Sequence, residues 1–132
     1  YEGKFKQTAD LTPIYKVSEG VMKNISIAEA QVEDHFGYTF RSWIYIPEKG
    51  VYRFYTFSDD GSRLLIDGQT IVDNDGSHNS RRKDGKVALE AGFHELCVLY
   101  IEDYMGQILE VGFSSRDIRE TTIPDHQFFL PE

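Results

Sequence analysis

The sequence predicts an all-β chain, an antiparallel sandwich or barrel-like fold, from three observations. Nine Phe, eight Tyr and one Trp stand against two Met, a composition that suits strands. Apolar and aromatic residues recur with a period of two over several runs. Polar, Gly-containing turns separate those runs with no helical pattern between them, which argues against a parallel α/β sheet. At 132 residues a single domain spanning 1–132 is expected, able to bury roughly two-thirds of its unfolded surface.

Taken in order, the stretch Ile25 to Val32 fits either a helix or a strand, and the alternation of Ile25 and Ile27 favours the strand. Tyr38, Phe40, Ser42, Ile44 and Ile46 then alternate with Thr39, Arg41, Trp43 and Tyr45. The turn Pro47-Glu48-Lys49-Gly50 leads to a β-branched and aromatic run, Val51 to Phe57, so 38–57 is expected to form a hairpin. After the polar break Ser58-Asp59-Asp60-Gly61-Ser62, the run Arg63 to Ile66 meets Asp67-Gly68, and Gln69 to Val72 returns. Asp-Gly between apolar runs favours a two-residue turn, because both central residues need positive φ. Residues 73–85, DNDGSHNSRRKDG, carry no apolar side chain and are expected to form the longest loop. Lys86 to Leu89, a turn at Glu90-Ala91-Gly92, and Phe93 to Ile101 follow. Glu102 to Gly106 is then expected to close a second hairpin with Gln107 to Phe113.

The net charge of −8 and pI near 4.9 repel phosphate backbones and anionic lipid headgroups, so nucleic acid is not an expected partner. The basic run Arg81, Arg82 and Lys83, next to Asp84, reads as part of a solvated loop. No apolar stretch approaches the ~18 residues a membrane span requires, and membrane insertion is not expected. Cys97 is the only cysteine; within the apolar run Leu96 to Tyr100 it reads as a buried small hydrophobe. The start at Tyr1 without a Met suggests an excised module or a processed chain whose targeting signal lies elsewhere.

Catalytic signatures are weak. His35, His78, His94 and His126 lack paired metal spacing. Asp34, Asp103 and Glu110 could supply a glycosidase pair, but such pairs arise by chance among 22 acidic residues. The glycines sit at separate turns, outside any phosphate-loop order, and His78 reads as a solvated loop histidine.

An ordered set of segments carries a family resemblance: FRSWIYIP at 40–47, GVYRF at 50–54, SDDGSRLLIDG at 58–68, VALEAGFH at 87–94 and ILEV at 108–111. With them the chain resembles the PA-14 (protective antigen) domain family. The resemblance implies a β-sandwich or barrel-like module of a longer secreted or surface protein. YEGKF at the start, DHFGYTF, VDNDGSH and the closing IP…FF resemble modules appended to bacterial β-N-acetylhexosaminidases. That narrower resemblance implies a non-catalytic accessory module of an extracytoplasmic glycoside hydrolase, with glycans and the catalytic domain of the same chain as partners. A structural spacer with no sugar affinity is the alternative.

The adjacent Asp59 and Asp60 carry the sharpest chemistry, since two neighbouring carboxylates repel unless a cation or donors offset them. Calcium, a hard ion that takes six to eight oxygens, is the natural candidate. In lectin-active relatives, the resemblance implies, an Asp-Asp pair joined by a cis peptide holds calcium and a sugar hydroxyl; that role carries over to Asp59 and Asp60. Asn74, Asp75 and Asn79 could supply further oxygens from the polar loop. The bland alternative has the pair capping backbone N–H groups. For a sugar ring an exposed aromatic is needed, from among Trp43, Tyr45, Tyr52, Tyr55, Tyr100 and Tyr104. The expected carbohydrate contacts are Asp59, Asp60, Asn79 and Tyr104, the last for its place in the turn 102–106.

Overall fold

A computed structural model describes residues 1–11, 16, 19, 25, 35–76, 78–102, 108–123 and 128–129. After a 3₁₀ turn at Thr8–Asp10, the strands are β1 (Phe36–Ile46), β2 (Gly50–Asp59), β3 (Ser62–Ile66), β4 (Gln69–Asn74), β5 (Arg81–Leu89), β6 (Gly92–Glu102), β7 (Ile108–Ser115), β8 (Thr121–Thr122) and β9 (Phe128–Phe129). They build a five-stranded sheet, β4-β3-β6-β1-β9, and a four-stranded sheet, β5-β2-β7-β8. Every pairing is antiparallel. The all-β sandwich expectation therefore holds.

Alternation along each strand builds the core. Ile44 and Ile46 of β1, Leu64 and Ile66 of β3, and Leu96 and Val98 of β6 face Tyr52 and Phe54 of β2 and Val111 and Phe113 of β7. The Phe113 ring stacks between those of Phe54 and Tyr52, with centroids 6.0 and 6.3 Å away.

Both long hairpins read from the sequence are corrected. β1 pairs with β6 and β9, whereas β2 pairs with β5 and β7, so the turn at 47–49 arches from one sheet to the other. β6 and β7 likewise belong to different sheets. Each strand has one apolar face, and an arch that turns two such faces toward each other buries more than a hairpin leaving both on one surface. The Asp67-Gly68 hairpin forms as expected: φ is 50° at Asp67 and 83° at Gly68, and β3 pairs with β4 through it.

The predicted loop 73–85 shrinks to residues 75–80, because β4 runs on to Asn74 and β5 begins at Arg81. Arg81, Arg82 and Lys83 are thus strand residues, exposed but paired with Ser58, Phe57 and Thr56. The Arg82 guanidinium lies 4.1 Å from the centroid of the Tyr55 ring and binds Asp84 and Glu120. A strand at a sheet margin tolerates such polar runs, which is why the absence of apolar residues misled. Cys97 is half-buried rather than core, and burial pushes its thiol above the ordinary range. The strand read over Ile25 to Val32 lies, apart from Ile25, outside the described residues.

At the end of the sandwich that holds the Asp67 turn, His94 Nδ1 lies 2.6 Å from Asp67 Oδ2 and Nε2 lies 2.8 Å from the Glu90 carbonyl oxygen. Burial alone would lower the imidazole pKa, but the hydrogen bonds to Asp67 and Glu90 outweigh it and raise the value above 6.5. A raised folded-state value means the contact stabilises fully below the unfolded value and is lost as pH climbs through the folded one. The melting temperature of the wild type minus that of His94→Gln should be larger at about pH 5.5 than at about pH 8.5; equal differences would deny the charged contact.

Candidate functional site

The inward face of β2 changes character along its length. Tyr52 and Phe54 belong to the apolar core, and Thr56 and Ser58, next in the same phase, are fully buried hydroxyls. Ser62 at the start of β3 and Asn74 at the end of β4 are buried beside them. Ser62 Oγ donates to Thr56 Oγ1 at 2.9 Å, and the Ser58 and Ser62 hydroxyls lie 2.7 Å apart. Asn74 Nδ2 reaches Thr56 Oγ1 and Ser58 Oγ, each at 3.3 Å, and the Arg81 carbonyl at 2.7 Å. Buried polar groups with partners of this kind fix local geometry.

That network holds the turn between β2 and β3. Ser58 Oγ donates to the Asp60 carbonyl at 2.8 Å. Tyr100 OH donates to the Asp59 carbonyl; burial, then Glu102, Asp60 and Asp59, raise its phenol pKa and keep it a donor. The Asp60 N–H donates to the Ile101 carbonyl at 3.2 Å, and the Ile101 N–H to the Gly61 carbonyl at 2.9 Å. The Asp59–Asp60 peptide is cis, the form the family resemblance implies. A Cβ on Gly61 would strike the Gly76 backbone, so the turn also packs directly on the 75–80 loop.

Loop and turn bind one another through side chains too. The His78 N–H donates to Asp60 Oδ2 at 3.0 Å, and Ser80 Oγ to Asp59 Oδ2 at 3.4 Å. Asp60 thus caps one N–H of the neighbouring loop, whereas Asp59 accepts from a hydroxyl. Asp59 Oδ1 has no hydrogen-bond partner among the described residues although its residue is only 8% exposed. Burial, then the Asp60 carboxylate, raises the pKa of the Asp59 carboxyl. The side chain of Glu102, the last residue of β6, joins the pair: ligand oxygens of Asp59, Asp60 and Glu102 all lie within 4.8 Å of one another. Three buried carboxylates are a hard-oxygen donor set, which suits calcium far better than a soft-ligand metal.

The other expected residues fall in different places. Asn79 is exposed on the same loop, and Tyr104 lies outside the described residues. Asp75 accepts from the Thr8 N–H and Oγ1, both at 2.8 Å, and so anchors the N-terminal turn; Asn74 is spent in the buried network. The His78 ring is half-buried rather than free in solvent, its nitrogens 2.6 and 2.8 Å from the Asn79 and Asn74 carbonyl oxygens. Tyr52, Tyr55 and Tyr100 are buried, which removes them as sugar platforms, and Trp43 is half-buried. Tyr45 and Phe93, 40% and 55% exposed, form a cross-strand pair with centroids 5.3 Å apart. The pair lies at the far end of β1 and β6, roughly 30 Å from Glu102 along the strand.

Glu102 was missed in the sequence reading, which placed it in a turn. Its signal was the phase of β6: Leu96, Val98 and Tyr100 point inward at every second position, and the next in that phase is Glu102.

An antiparallel sandwich that gathers acidic and loop residues at one end has the architecture of a β-sandwich module with an end-loop site. The chain belongs to the PA14 domain family, whose sequence profile matches residues 2–127. The anti-sigma-I factor RsgI3 of Acetivibrio thermocellus is 29% identical over 79 residues, 59% of this chain and 12% of that protein. An anti-sigma factor domain-containing protein from Clostridium clariflavum superposes with a TM-score of 0.73 at 22% identity, over 83% of this chain and 37% of that one. A PA14 sugar-binding domain from an RTX adhesin superposes with a TM-score of 0.64 at 17% identity, over 78% of this chain and 60% of that one. The chain therefore spans only a small part of the curated relative it matches.

Proposed function

We propose that this PA14 domain is a non-catalytic, calcium-dependent glycan-binding module of an extracytoplasmic protein. The observation that carries the reading is Asp59 Oδ1, buried and without a hydrogen-bond partner among the described residues, beside Asp60 in a turn fixed from several sides. Asp59 and Asp60 would hold the ion, and glycan hydroxyls would complete its oxygen shell, with the exposed Asn79 side chain beside them to fix their orientation. The similar domain from an RTX adhesin is a sugar-binding one, which supports the same reading. Resemblance to hexosaminidase-linked modules supports a secreted or surface glycoside hydrolase as the parent chain. Similarity to anti-sigma factor proteins favours a second parent, a regulatory protein in which the module reports bound glycan.

The test is a panel of immobilised glycans, including N-acetylglucosamine oligomers, probed with the domain in calcium and in EDTA. Retention by one glycan class in calcium, lost in EDTA, is the expected result. Retention by none in either buffer would replace this reading with the structural-spacer one.

A further inference from the structure

We infer that Glu102 is a third protein ligand for the calcium held by Asp59 and Asp60, so that the site is built from three carboxylates rather than the adjacent pair alone. This rests on the calcium reading above. Glu102 is fully buried, and its carboxylate reaches the same 4.8 Å cluster as those of Asp59 and Asp60. Its position is imposed by the backbone. The Asp60 N–H donating to the Ile101 carbonyl and the Ile101 N–H donating to the Gly61 carbonyl clamp the end of β6 to the aspartate turn, one residue before Glu102. The strand phase then turns the Glu102 side chain to the inner side, as it does that of Tyr100, whose hydroxyl holds the Asp59 carbonyl.

Three buried carboxylates in mutual reach repel one another when all are ionised, and a divalent cation that takes an oxygen from each removes that repulsion. Asp59 Oδ1, lacking a hydrogen-bond donor among the described residues, is an independent sign that a ligand belongs among them. The alternative, in which the carboxyls share protons and bind nothing, gives no response to a metal. Calcium affinity follows the number of charged ligands, so Glu102 sets how dilute a calcium solution still loads the site.

Terbium(III) tests the assignment directly, because Tyr100 beside the site can sensitise its emission without any glycan present. Wild-type protein is titrated with terbium under tyrosine excitation, and calcium is then added to compete. Glu102→Gln, close in shape, should weaken calcium affinity about 10- to 100-fold while its melt in EDTA stays at or above that of the wild type. Glu102→Asp keeps the charge but withdraws the oxygens by one methylene, and should weaken calcium several-fold; it serves where the Gln variant does not fold. Wild-type emission displaced by calcium, with either folded variant binding calcium as tightly as the wild type, would overturn the role of Glu102 and leave the Asp59-Asp60 site standing. Absence of sensitised emission, and of any calcium effect on the melt, in the wild type would remove the calcium reading itself and this inference with it.

Discussion

Millimolar calcium is expected to raise the melting temperature of this domain by about 10 °C over its value in EDTA, and Asp60→Ala to abolish that rise. A ligand that binds only the folded state at a hundredfold excess over its dissociation constant adds roughly 2.7 kcal/mol. For a domain of this size each kcal/mol moves the midpoint by about 3–5 °C. Asp60→Ala removes one donor oxygen set and also the acceptor for the His78 N–H, a bond worth about 1 kcal/mol. Its melt in EDTA should therefore fall only a few degrees, because relief of repulsion with Asp59 offsets part of the loss. The decisive quantity is the calcium-dependent difference. Superimposable wild-type melts in calcium and EDTA would remove the metal from the account of this turn.

Gly85→Ala should cost about 3 kcal/mol or more and lower the melting temperature by roughly 10–15 °C. Gly85 sits opposite Phe54 in β5, and a Cβ there would overlap the carbonyl oxygen of Ile71 in β4. The obstacle is backbone, so no rotamer change relieves it; β4 must move away from β5, and Ile71 packs against the core cluster. Gly50→Ala provides the control, since no atom of the described residues lies within 4 Å of its added methyl. It should stay within about 0.5 kcal/mol of the wild type. Equal melting of the two variants would mean that the two sheets do not meet closely at this corner.

Most strands were legible in the sequence, apart from the polar end of β4 and the polar first half of β5; which sheet each strand joins was not. Alternation tells a strand which of its faces is apolar, and a hairpin and an arch satisfy that pattern equally well. The Asp67-Gly68 turn was read correctly because it makes a local demand, positive φ at two successive residues, that few residue pairs meet. Pro47-Glu48-Lys49 makes no such demand, and Tyr52 across the turn instead bonds the Glu48 carbonyl at 2.6 Å as the chain crosses between layers. Within the site, Asp59 and Asp60 stood out because they are neighbours in sequence. Glu102 is brought to them only by pairing of β6 with β1 and β3, although its inward phase after Tyr100 was open to view. Asn74 hid in the same way, as a polar residue at the inward end of a strand mistaken for a loop.

The separation of successive strands into two layers also governs how the chain finds its fold. β1 ends at Ile46, yet its long partner β6 runs from Gly92 to Glu102, so its first sheet contact must close a loop of much of the domain. Contacts this remote in sequence carry their entropy loss before their reward, which places folding in the slow, milliseconds-to-seconds regime of all-β sandwiches. On a ribosome, the backbone edge of β1 that β6 takes waits unpaired until β6 has emerged. The acidic turn assembles at the same moment, because its third carboxylate is the last residue of that same strand.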